Sequence, residues 1–116
     1  MLRVTVAAPV SREELRRFAE ESGGVLVKAV VDLGRGLMPM GGPLHADDME
    51  AVLLGEGSNS RELWGINLYP EAEGSDFLEV DSIINVRPAL GNRSRGVDDP
   101  RVLTAIEKLV ALLVKG

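Results

Sequence analysis

The sequence predicts an α+β fold: a mainly antiparallel sheet of four or five strands with helices packed on one face, in the chain order β-α-β-β-α-β-β-α. Three observations carry this. Short β-branched or alternating stretches recur along the chain, two pairs of them sit close enough to read as hairpins, and two stretches open with complete helix-start signals. At 116 residues the chain reads as a single domain spanning 1–116, long enough to bury one core.

The elements follow in order. Leu2, Val4 and Val6 alternate with Arg3 and Thr5, the period of a half-buried strand, and Pro9 ends it. Ser11 and Glu14 make a capping box, with Val10 and Leu15 spaced for a hydrophobic staple. The helix that follows turns Leu15, Phe18 and Ala19 inward and closes at Gly23 and Gly24. Its arginines, Arg12, Arg16 and Arg17, are matched by glutamates and read as a solvated face. Residues 25–31 form a buried strand, and 37–40 a return strand that Pro39 confines to an edge. The turn between them, Asp32-Leu-Gly-Arg-Gly36, lacks the spacing and lysine of a phosphate cradle and reads as a turn with permissive glycines. Residues 44–54 form a short helix with Met49, Val52 and Leu53 inward. Residues 62–69 and 77–87 are the next two strands, joined by an acidic connection. Alternation places Trp64, Ile66 and Leu68 on one face with Leu78, Val80, Ile84 and Val86. The opposite face carries Asn67, Tyr69, Glu79, Asp81, Asn85 and Arg87. Asp99 and Pro100 start the last helix, whose stripe of Val102, Leu103, Ile106, Leu109, Val110 and Leu113 should cover the sheet.

Composition narrows the function classes. The net charge of −5 gives no overall attraction to nucleic acid. With no cysteine there is no disulfide, thiolate metal site or cysteine nucleophile. No apolar run is long enough to span a membrane and no signal peptide opens the chain, so a cytoplasmic location is expected. The single histidine, His45, has Asp47 and Asp48 nearby. Without a second His or Cys it makes a poor transition-metal site, and neither a metal nor a cofactor is expected.

One stretch reverses the charge of the chain. Between Ser82 and Val97 stand Arg87, Arg93 and Arg95 and no acidic residue. Guanidinium groups match carboxylate and phosphate geometry, and Asn92 adds neutral hydrogen-bonding groups. The residues therefore suggest an anion pocket of Arg87, Asn92, Arg93 and Arg95, opened toward Asn67, Tyr69 and Asn85, with His45 as a further candidate. The alternative is structural: the same arginines pair with the acids of 71–81, with Asp98 and Asp99, or with a partner subunit.

Four segments carry a resemblance: Val-Lys-Ala-Val-Val-Asp (27–32), Gly-Gly-Pro-Leu-His-Ala-Asp (41–47), Leu-Trp-Gly-Ile-Asn-Leu-Tyr-Pro (63–70) and Ile-Asn-Val-Arg-Pro-Ala-Leu-Gly-Asn-Arg-Ser-Arg (84–95). Together they resemble a small prokaryotic single-domain family of unknown function, across nearly the whole chain. The resemblance implies a small prokaryotic protein and supplies no activity, cofactor or partner. Three readings stay open: a binding module for a small anionic ligand, a homodimeric or protein–protein interaction module, and an enzyme acting on an anionic substrate with His45 as base. No catalytic residue is assigned.

Overall fold

The computed structural model describes residues 10–21, 24–40 and 46–115. The strand expected over residues 2–6 and the histidine at 45 lie outside them. The element order is β1 (Val10–Ser11), α1 (Arg12–Glu21), β2 (Val27–Asp32), α2 (Ala46–Gly55), β3 (Leu63–Leu68), β4 (Leu78–Glu79), α3 (Pro100–Leu113) and β5 (Val114–Lys115). The α+β class holds.

The sheet is smaller than the patterning suggests. Among the described residues the main sheet has three antiparallel strands, in the order β2-β3-β4, and not four or five. β2 and β3 pair along their whole length, from Val27↔Leu68 to Asp32↔Leu63, whereas β4 adds only Leu78 and Glu79. Two expected strands fall short for separate reasons. Residues 37–40 lie beside β2 but make only the isolated bridges Asp32↔Leu37 and Ala29↔Met40, since Pro39 has no N–H to give a ladder; its carbonyl accepts from Val30 N at 3.2 Å. The stretch 77–87 leaves the ladder after Glu79 and winds into a 3-10 turn at Ile83–Asn85. A second, parallel pair unites the ends of the fold: Val10↔Val114 and Ser11↔Lys115 join β1 to β5.

The helix signals act where the sequence places them. Ser11 Oγ accepts from Glu14 N at 3.1 Å, Val10 and Leu15 are both buried, and Gly24, at φ +89, donates its N–H to Ala19 O. Asp99 caps α3 by accepting from Arg101 N at 2.9 Å, with Pro100 in the first turn. Not every α1 arginine is a solvated one. Arg16 and Arg17 form exposed pairs with Glu71 and Glu13. Arg12 instead donates to the Pro70 and Ala72 carbonyls and lies 4.1 Å over the Phe77 ring, tying α1 to the acidic connection.

β3 is buried on both faces. Trp64, Ile66 and Leu68 join Val27, Ala29 and Val31 under α1 and α3, which supply Leu15, Ala19, Ile106, Val110 and Leu113. Fully burying one such Leu or Ile contributes about 1.5–3 kcal/mol, so this layer dominates stability. The first and last helices therefore share a face, but α2 does not. Its Met49 and Leu53 pack with Val30, Leu37, Leu63 and Ile84 on the opposite side, so helices cover both faces and not one. Val52, expected inward on α2, is exposed.

Candidate functional site

A glycine in the middle of the central strand locates the site. A Cβ at Gly65 would fall 2.4 Å from Ser82 Cβ and 3.1 Å from Ile84 Cγ1, so the chain at 82–85 lies directly against β3. β4 has already ended there, and Gly65 would be left with an open N–H and C=O. The Asn85 side chain takes the place of the missing strand: Oδ1 accepts from Gly65 N at 2.8 Å and Nδ2 donates to Gly65 O at 3.0 Å. A carboxamide has the donor and acceptor geometry of a peptide unit, which explains an asparagine at this position. Asn85 is fully buried. The 3-10 turn also carries Ile84 to the α2 side of the sheet, away from the expected company of Trp64 and Ile66.

From Asn85 the bonding runs on in both directions. Its Nδ2 also reaches Arg95 O at 2.8 Å, and its backbone carbonyl accepts from Asn92 Nδ2 at 2.7 Å. Asn92, 4% exposed, holds the loop together: Nδ2 donates further to Gly96 O and Ser94 O, Oδ1 accepts from Asp98 N, and its backbone exchanges bonds with Arg87. Asp98 closes the turn by accepting from Arg93 N at 2.9 Å and Ser94 Oγ at 2.7 Å. Those donors hold its carboxyl below the usual carboxylate range, as Arg101 does for Asp99. On the sheet side, Arg95 Nε donates to Asp81 Oδ1 at 2.6 Å. Asn67 Nδ2 donates to Asp81 O and to Glu79 Oε1, and the Tyr69 hydroxyl donates to the same Glu79 oxygen at 2.8 Å. That bond to Glu79, with burial and the nearby acids adding to it, pushes the Tyr69 phenol above its ordinary range.

The structure thus brings seven of the eight expected site residues into one region, with different roles. Asn85 and Asn92 are buried frame members facing backbone, not solvent. Asn67 is buried beneath Glu79. Arg87 donates to the Ser60 and Leu63 carbonyls and stacks on Trp64 at 4.6 Å, pinning the loop to the start of β3. Burial lowers the Arg87 pKa, with the Glu50 charge opposing it, and Arg87 Nε is buried without a partner among the described residues. Arg95 is half-engaged in an exposed pair. Of the three loop arginines, Arg93 alone has a guanidinium without a hydrogen bond or ion pair among the described residues; only its backbone is held. His45 lies outside those residues, so its expected place beside the arginines is not defined.

Sequence reasoning missed three participants. Gly65 carried the signal that a glycine inside a strand marks close backbone approach. Arg61 and Trp64, with Leu90, Gly91, Asn92 and Asp98, line an open groove of about 400 Å³ beside the loop, and nothing in their spacing announces it. The glycine-rich turn at 32–36 also explains itself. Asp32, 1% exposed, accepts from Gly34 N, Arg35 N and Ser58 Oγ, so its own carboxylate fills the place an anion would take. No group of three or more metal-ligating side chains occurs among the described residues, and no described helix is long and apolar enough to cross a membrane.

These features define a small α+β protein with an internally hydrogen-bonded, arginine-bearing loop. The chain belongs to the DUF5674 family, described as proteins of unknown function, whose profile matches residues 4–113. No curated protein and no solved structure matches it.

Proposed function

We propose that this chain is a binding module for a small anionic ligand, with loop 87–98 as its recognition element. The observation that supports it is the division of labour within the loop. Asn85, Asn92 and Arg87 fix the backbone from inside, while the Arg93 guanidinium is left exposed and uncommitted among the described residues. A pre-ordered backbone removes the cost of ordering the loop and leaves only that of the Arg93 side chain, which favours recognition by few contacts. Arg95 assists: its exposed pair with Asp81 is worth at most about 1 kcal/mol and can exchange for a ligand oxygen. The setting in this reading is the prokaryotic cytoplasm.

The test is thermal denaturation with phosphate, sulfate and small carboxylates, in wild type and in Arg93→Ala. A ligand at about 100 times its dissociation constant stabilises by about 2.7 kcal/mol, which at this chain length raises the Tm by roughly 10 °C. The expected result is such a rise in wild type and its loss in the variant. A phosphate or sulfate rise of equal size in both, or none with any anion, removes the proposal.

A second reading has its own observation. Ile83 (66% exposed), just before the loop, and Leu90 (42%), within it, are large apolar side chains in solvent, the kind of anchor that interfaces bury beside arginine. In that reading the loop is the contact of a homodimer. Light scattering at micromolar concentration would then give twice the monomer mass, falling to the monomer in Ile83→Glu.

A further inference from the structure

The groove beside the loop contains a second uncommitted cation. Arg61 sits in the 3-10 turn Ser60–Glu62, where Asn59 Oδ1 accepts from its backbone N–H at 3.0 Å. Its guanidinium has no hydrogen bond or ion pair among the described residues, and it lines the groove. Trp64, Leu90 and Val102 provide apolar lining in the same groove. Asp98 and Asp99 line it too, but differently from Arg61. Asp98 is held by Arg93 N and Ser94 Oγ, and Asp99 by Arg101. Both are acids whose pKa is depressed, so at neutral pH they are fixed negative charges. Among the described residues, the groove therefore combines one free cation, an apolar surface and two carboxylates that are already satisfied.

We infer that this groove takes an amphipathic monoanion: a small carboxylic acid whose carboxylate pairs with Arg61 and whose apolar body lies on Leu90, Val102 and the accessible edge of Trp64. The inference goes beyond the Arg93 reading: it places a separate ligand site, and its class of ligand, in the groove beside loop 87–98. Charge decides the class. One carboxylate matches Arg61 in bidentate fashion, whereas a second negative charge on the same ligand faces Asp98 and Asp99. Polyanions such as citrate are discriminated against on that ground. Inorganic phosphate has no apolar body to cover Leu90.

Trp64 is the only tryptophan in the chain and lines this groove, so its emission can report on what enters it. Octanoate, citrate and phosphate are titrated against wild type, Arg61→Ala and Arg93→Ala. Among the described residues the Arg61 side chain makes no hydrogen bond or ion pair, and an unchanged Tm is the check that its variant folds. The expected result is a saturable emission change with octanoate, weakened about tenfold or more in Arg61→Ala and unchanged in Arg93→Ala, with citrate giving none. A saturable change equally strong in Arg61→Ala overturns the inference, as does the absence of any change with octanoate. If phosphate raises the Tm through Arg93 while octanoate leaves Trp64 unmoved, the anion reading stands and this one fails. If neither ligand has any effect, both fail.

Discussion

Glu79 receives two hydrogen bonds at one oxygen, from the Asn67 amide and the Tyr69 hydroxyl. The second makes Tyr69 a usable reporter, because it is the only tyrosine. Its folded pKa is raised above the unfolded value of about 10, so the stabilisation it brings is intact below about pH 10 and is lost as the pH rises through the folded pKa. Phenolate absorbance should therefore titrate later in the native protein than in urea. Glu79→Gln, which removes the charge but keeps an acceptor, should move the native midpoint down toward the ordinary value. Coincident native and denatured curves would mean that the bond is not populated in solution. Asn85 and Asn67 stand out in the sequence as poor strand formers in a strand-like run, and both prove to hold specific hydrogen-bond partners. The sequence could not show where those partners lie. The arginines and asparagines between 85 and 95 turn mostly toward backbone, and only the folded chain brings that backbone within their reach.

At the scale of elements, the central strand depends on a side chain that is not there. Gly65 lets Ser82 lie against β3, and Asn85 then continues the sheet where β4 stops. Gly65→Ala should cost about 3 kcal/mol, seen as a lower urea midpoint at unchanged slope. Ser82→Gly in the same chain should recover much of that loss, since the overlapping atom is removed from the other side; the remaining contact with Ile84 limits the recovery. A Gly65→Ala variant as stable as wild type would contradict the close approach. The helices are readable because their signals are local: the Ser11 cap, the Gly24 terminus and the Asp99-Pro100 start each act within a turn. Strand extent is not, because ending β4 after Glu79 depends on what crosses β3 from elsewhere in the chain. Period-two patterning continues through Ile84 and Val86 and gives no sign of the 3-10 turn.

The whole molecule is closed by its smallest sheet. β1 and β5 pair through only two residues each, yet they connect α1 to the end of α3, and Val114 also caps α3 by donating its N–H to Val110 O. Ending the chain after Leu113 should lower stability by about 1–2 kcal/mol in urea denaturation and expose the Val10 and Ser11 amides to rapid hydrogen exchange. Unchanged exchange at those two amides would show that the pair contributes nothing. No sequence signal marks this contact: Pro9 reads as the end of a strand, and the last helical stripe simply ends at Leu113. The pairing has a kinetic side as well. Its partners are separated by nearly the whole chain, so its contacts carry the largest loop-closure penalty among the described strand pairings and gain little until β2, β3 and α3 have assembled. The two strands should thus be the last part of the protein to form and the first to let go. A denaturant chevron would register that as mutations at Val10 or Val114 that hasten unfolding and leave the refolding rate almost untouched.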